Sequence, residues 1–247
     1  MSENRAAETA AASPSFCIIL PMYNEHANAG KCIAAIYHYL ESVQARTGII
    51  AVDDGSLDGT GQVLRNLMGT YPELIVEIHE QNRGYGGANR TGFSRAVKEG
   101  FEYALVMDAD LTQNPVYIGG FVNAMRGRAD FIKATRYAHG GKVEGVPFAR
   151  ALVSLAGNRL AQAVLRCGLS DFTNGFRAIH TDLLLKLDTH ESGFAMLMEE
   201  VCQARRMGAT FAEVPYTLTV RDDGSKSKFT YSWSVYWAYL KHLLPLR

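Results

Sequence analysis

Four short apolar runs separated by helix-period stretches occupy the first 110 residues, and this alternation limits the possible folds more than any other feature. The runs are Phe16 to Leu20, Ile49 to Val52, Leu74 to His79 and Tyr103 to Met107. Between them, residues 27–46 carry Ile33, Ile36, Tyr37, Leu40 and Val43 at helical spacing. Asp58 or Thr60 is the expected N-cap of a helix running to about Leu67, and Gly84 to Gly100 opens with glycines and becomes helical. The pattern predicts an α/β fold with a mostly parallel central sheet flanked by helices. In such sheets ligands bind beyond the carboxyl ends of the strands. Three of the runs end in polar or acidic clusters: PMYNE at 21–25, DDGS at 53–56 and DAD at 108–110. These clusters are expected to converge on one edge of the sheet.

The second half is less regular. Phe131 to Thr135 and Phe211 to Val220 read as strands, 147–166 as a long helix and 230–244 as an aromatic, amphipathic helix. With no repeat and no linker, residues 1–15 are expected to be a loose tail. Residues 16–229 are expected to form one domain, and 230–247 a helix that packs on it or lies at a membrane surface. The tail lacks the basic start and apolar stretch of a signal peptide. Lys plus Arg and Asp plus Glu each total 25, which argues against a globally basic nucleic-acid binder. No window of 18 residues is free of charge, so a membrane-spanning helix is not expected. The zero net charge is a cancellation, because residues 126–166 hold eight basic residues against two acidic ones. The four cysteines form no CxxC pair and read as reduced core residues.

Asp108 and Asp110 lie two apart after an apolar strand, so an extended chain points both the same way, spaced to share one hard cation such as Mg²⁺ or Mn²⁺. With PMYNE, VDDGSLDGT at 52–60, NRGYGGA at 82–88 and MDADL at 107–111, the chain resembles the family 2 glycosyltransferases of the GT-A fold. ATRY at 134–137, DFTNGFR at 171–177, Glu199 and VPYTLTVR at 214–221 are similar to the dolichyl- and polyprenyl-phosphate sugar transferases within that family.

The resemblance implies an inverting transferase that moves a hexose from a nucleoside-diphosphate sugar, of the GDP-mannose or UDP-glucose type, to a polyprenyl or dolichyl monophosphate. It implies that Pro21, Tyr23, Asn24, Glu25, Asp53 and Asp54 line the nucleotide pocket. The segment with Gly84, Tyr85 and Gly86 approaches the nucleotide sugar. Asp108, Ala109 and Asp110 meet the diphosphate through Mg²⁺ or Mn²⁺. Relatives carry a Gln two residues after the second Asp; here Thr112 stands there and Gln113 follows, so Gln113 completes the metal set by a register change, or the third ligand differs. Arg136 and Arg150 match arginines that meet the acceptor phosphate, and Asp171 to Arg177 match a stretch that shapes the pocket. Glu199 matches an acidic position near the sugar, with Glu200 adjacent. Arg221 begins a Gly/Ser/Lys closing loop, for which Ser227 and Lys228 fit better than Ser225 and Lys226 because Phe229 follows.

A phosphate acceptor is already an anion and needs positioning, whereas a hydroxyl acceptor needs a general base. The same fold acting on a hydroxyl acceptor, with Glu199 or Asp171 as base, is the alternative enzyme. A noncatalytic nucleotide-sugar-binding subunit is a further one. The expected location is the cytoplasmic face of a membrane, reached peripherally or through an anchoring partner.

Overall fold

The computed structural model describes residues 13–143, 148–219 and 233–243. In chain order its elements are β1 (Phe16–Met22), α1 (His26–Leu40), β2 (Thr47–Asp53), α2 (Thr60–Leu67), β3 (Leu74–Ile78), α3 (Gly84–Lys98) and β4 (Tyr103–Val106). A 3-10 turn (Pro115–Tyr117), α4 (Ile118–Arg126), β5 (Phe131–Thr135), β6 (Lys142–Val143) and α5 (Phe148–Leu165) follow. The chain continues with β7 (Arg177–His180), α6 (Thr181–Leu184), α7 (Met196–Arg206), β8 (Phe211–Pro215), β9 (Thr217–Leu218) and α8 (Trp233–Leu243).

Seven strands form one sheet in the order β3-β2-β1-β4-β7-β5-β8. All neighbours run parallel except β7, which opposes both β4 and β5. β1 is central and apolar on both faces, as a strand covered on both sides must be. Its Phe16, Ile18, Leu20 and Met22 face a core shared with α1, α2 and α4. Its Cys17 and Ile19 face a second core shared with α3, α5, α7 and α8. Helices thus cover both faces of the sheet, and the carboxyl ends of β1, β2 and β4 meet at one edge, as the alternation predicts.

Three local departures have physical causes. The α2 cap position is Gly59, with φ of +90°, a conformation open to glycine. Asp58 supplies the capping chemistry instead: its Oδ1 accepts the Thr60 N–H at 3.0 Å and its Oδ2 the His26 N–H at 3.0 Å. The strand expected over 211–220 divides at Tyr216, where the chain leaves β5 to pair with β6; residue 220 lies outside the described residues. β7, only four residues long, carried no periodic signal in the sequence.

Candidate active site

The turn after β1 interlocks with the turn after β2. Asn24 takes a φ of +52°, which its short polar side chain tolerates. Its N–H donates to Ser56 Oγ at 2.8 Å, and its Oδ1 accepts the Leu57 N–H at 2.9 Å. Glu25 is buried beside Asn28, whose amide donates to Glu25 Oε2 at 2.9 Å. Asp53 is 2% exposed, and its Oδ1 accepts the Ser56 N–H. A Cβ on Gly61 would stand 2.6 Å from Asp53 Oδ2, so α2 approaches this carboxylate as only glycine allows. Asp54 ties β2 to the glycine-rich turn: its Oδ1 accepts the Arg83 N–H at 2.8 Å and contacts His79 Nδ1 at 2.7 Å. Pro21 and Tyr23, both half-buried, flank this edge.

Asp108, Ala109 and Asp110 follow β4 onto the same edge. Gln113 clamps Asp108 from both sides, its Nε2 donating to Oδ2 at 2.7 Å and its Oε1 accepting the Asp108 N–H at 2.9 Å. Thr112 fixes Asp110 by donating from N–H and hydroxyl to Oδ1 at 3.1 and 2.7 Å. Burial pushes the Cys32 thiol up to about 12, and the charges of Asp110, Asp108 and Glu25 add to that rise. Three carboxylates from two strand ends therefore lie within electrostatic reach of one buried thiol. Among the described residues no group of three or more His, Cys, Asp or Glu side chains is arranged to hold an ion alone. Two hard carboxylates two positions apart after a strand nevertheless fit Mg²⁺ or Mn²⁺, ions that commonly complete their shell with phosphates and water.

The glycine-rich turn meets a loop from the second half of the chain. Gly84 has φ of +79°, and Gly86 donates its N–H to Ser192 O at 2.7 Å. A side chain on Gly84 would collide with Ser192 O, and one on Gly86 with Glu191 O. Glu199 holds this loop in place by accepting the His190 and Glu191 N–H groups at 2.9–3.1 Å. Tyr85 stacks on Phe194 with centroids 4.5 Å apart.

Beside the carboxylates lies a buried charged cluster. Arg177, fully buried, grips Glu200 at 2.5 and 2.7 Å, Gly175 O at 2.9 Å, and Tyr85 Oη and Asn89 Oδ1 at 3.2 Å each. Lys133, directly across from Arg177 in the β5–β7 ladder, donates to Asn174 O at 2.5 Å. Burial and then the Arg177 charge push its ammonium down to about 7. Arg136 binds Asp171 through Nε at 2.7 Å and Nη2 at 2.9 Å, and Nη2 also reaches Thr173 Oγ1. Burial opposes ionisation of Asp171, but the Arg136 guanidinium outweighs it and holds the carboxyl below its ordinary range. Gly175 joins the two halves: a Cβ there would lie 2.7 Å from Tyr85 Oη and 3.3 Å from Asp108 Oδ1.

Arg150 lies in the first turn of α5, with its side chain outside the described residues, as are Arg221, Ser227 and Lys228 altogether. Lys133 has no role in the sequence reading, which names Tyr85, Arg177 and Glu200 separately but not their linkage into one hub. The available signal was a lysine inside the apolar run FIKAT.

The glycosyl transferase family 2 model matches residues 17–188. The chain is 30% identical over 211 residues to the polyprenol monophosphomannose synthase of Mycolicibacterium smegmatis, covering 84% of this chain and 78% of that one. It is 30% identical to the undecaprenyl-phosphate mannosyltransferase of Micrococcus luteus, covering 83% of this chain and 84% of that one. It is likewise 30% identical to the dolichol-phosphate mannosyltransferase of Pyrococcus furiosus, covering 93% of this chain but 62% of the relative. Among solved structures, the glucosyl-3-phosphoglycerate synthase of Mycobacterium tuberculosis with Mn²⁺, UDP-glucose and phosphoglyceric acid superposes with a TM-score of 0.65 at 19% identity. It covers 94% of this chain and 80% of that one, a likeness of fold.

Proposed function

The chain belongs to glycosyl transferase family 2, and from that premise we propose that it transfers a hexose, with inversion, from a nucleoside-diphosphate sugar to a polyprenyl monophosphate. The observation that carries this reading is the state of the acids on the acceptor side. Asp171 is held by Arg136, Glu200 by Arg177, and Glu199 by two backbone N–H groups. No acid of that set stands ready as the general base that a hydroxyl acceptor needs. A phosphate acceptor needs none, and the guanidinium of Arg136, the partly exposed member of the cluster beside Asp108, is the donor suited to position it.

In this mechanism a phosphate oxygen attacks the anomeric carbon as the bond to the nucleoside diphosphate breaks, and the diphosphate leaves with the bonding pair. Asp108 and Asp110 would hold Mg²⁺ or Mn²⁺, which supplies Lewis-acid stabilisation of that leaving group when bound. Gln113 and Thr112 orient the two carboxylates. Asn24, Glu25 and Asp53 line the nucleotide pocket, with Pro21 and Tyr23 at its rim. Asp54 sets the turn carrying Gly84, Tyr85 and Gly86. Arg136 and Arg150 meet the acceptor phosphate, and Arg221, Ser227 and Lys228 close over the diphosphate. Residues 16–229 act as the catalytic domain.

No helix among the described residues is long and apolar enough to cross a membrane. α5 nevertheless exposes Leu152, Val153, Leu160 and Val164, and α8 exposes Trp237 at 60%. These side chains support peripheral attachment at a cytoplasmic membrane face. The test is incubation with Mg²⁺ or Mn²⁺, a short polyprenyl phosphate and a panel of nucleotide sugars, read by mass spectrometry for glycolipid. Transfer to hydroxyl acceptors alone, with Arg136→Ala unimpaired, would replace this reading with the alternative enzyme.

A further inference from the structure

The outer face of α3 carries a cation-lined groove that the transfer reaction leaves unused. It lies between that helix and the edge strand β3, with a volume of about 440 Å³, inside the range of small-ligand clefts, about 300–1,000 Å³. Arg83, Arg90, Ser94 and Lys98 follow one another at helical spacing and so share one face, with Arg95 beside them. Gly87 stands between Arg83 and Arg90 on that face. A Cβ there would lie 2.5 Å from Arg83 Cβ, so the bare backbone lets the arginine stem rest along the helix.

Four cations line the groove against one acid, Glu77. Arg95 engages Glu77 through Nη1 at 2.5 Å and Glu99 through Nε at 2.8 Å. Arg90 gives only Nη1, to Glu191 O at 2.8 Å. Arg83 and Lys98 are exposed, and their side chains have no hydrogen bond or ion pair among the described residues. Even with Glu99 counted, four positive charges meet two negative ones, a net +2. Free guanidinium donors, an ammonium and the Ser94 hydroxyl in one cleft complement an anion with several acceptor oxygens.

We propose that this groove binds a phosphate-bearing anion at a site separate from those of the donor and the acceptor, with Arg83, Arg90 and Lys98 supplying charge and Ser94 a neutral donor. The inference goes beyond the transfer reaction and does not depend on it. Ser94 and Lys98 stand 10 and 14 positions beyond Gly84, about 15 and 21 Å along the axis at about 1.5 Å per residue, so this end is remote from the glycine-rich turn. Two sources carry the required chemistry: a soluble diphosphate or phosphate ester, and the headgroup of an anionic phospholipid. α3 packs on the same core as α5 and α8, and therefore on the same side of the sheet as the apolar side chains that those helices expose.

Lysine labelling of the intact protein with an N-hydroxysuccinimide ester, read by peptide mass spectrometry, tests the site. Inorganic pyrophosphate, with chelator present to remove divalent metal, should slow modification of Lys98 severalfold relative to sodium chloride of equal ionic strength. Vesicles of phosphatidylcholine with phosphatidylglycerol, compared with phosphatidylcholine alone, give the second arm. Protection by pyrophosphate alone assigns a soluble ligand, and protection by the mixed vesicles assigns a lipid headgroup. Ser94→Glu with Lys98→Glu changes two exposed side chains and should lower affinity for the protecting probe about tenfold or more, measured by calorimetry. Glu77→Gln removes the lining acid and should raise that affinity about 2- to 5-fold, an effect that a merely structural groove would not show. Equal protection by sodium chloride, protection by neither probe, or unchanged affinity in the double variant overturns the site. None of these readouts involves sugar transfer, so failure of the groove and failure of the proposed reaction are separate results.

Discussion

Lys133 is a cation inside an apolar strand, opposite another cation, and its environment makes a measurable statement about stability. Burial lowers its pKa from 10.5 to about 7. Between those values the unfolded chain holds a proton that the folded chain has released, so stability attributable to this group rises with pH. Wild type should therefore gain stability relative to Lys133→Met between pH 7 and 10, as read by urea denaturation at both ends; a constant difference would refute this. The carboxylates at the end of β4 answer to a different measurement. Asp108→Asn and Asp110→Asn should each lower kcat by about 10²- to 10³-fold, because each weakens stabilisation of the leaving diphosphate. Turnover close to wild type in both would remove the metal assignment. Asp108, Asp110 and the acids after β1 and β2 were legible in the sequence, because a strand end is a local feature. The partners of Arg136 and Glu199 were not legible, since Asp171 lies 35 positions from Arg136, and Glu199 is engaged by a loop it does not belong to.

At the scale of elements, the contact between the glycine-rich turn and the 190–193 loop is closed to any side chain. Gly86→Ala forces the added methyl against Glu191 O. It should cost about 1–3 kcal/mol by overpacking, visible as a lower denaturation midpoint. It should also weaken nucleotide-sugar binding, measured by calorimetry. Gly92, which faces Ile19 on the other side of the same helix, should cost similar stability when changed to Ala while leaving the donor affinity alone. The first four strands and three helices were legible, because buried parallel strands read as unbroken apolar runs and the helices between them keep their stripe. β7 was not: it runs four residues with Arg177 at its head, and only its neighbours β4 and β5 make it a strand. The division of 211–220 into β8 and β9 has the same origin, since it depends on where β6 lies.

For the whole molecule, a neutral net charge gave no hint of a membrane, yet α5 and α8 both expose apolar side chains, and Arg159 and Lys241 on the same two helices are exposed as well. Flotation with vesicles containing anionic lipid should carry wild type upward, and the double change Leu160→Glu with Val164→Glu should reduce the floated fraction severalfold by placing charge where acyl chains would be met. Equal flotation of both would place the contact elsewhere. The strand order carries a separate consequence for how the protein is made. β1 to β4 are complete by residue 106, but the partner that covers the outer side of β4 begins at residue 177. At translation rates of about 5–20 residues per second, the nascent chain waits roughly 4 to 15 seconds with that wholly apolar strand as a bare sheet edge. A chain stopped on the ribosome before Arg177 should therefore aggregate or recruit chaperones, whereas one released after His180 has the means to seal itself.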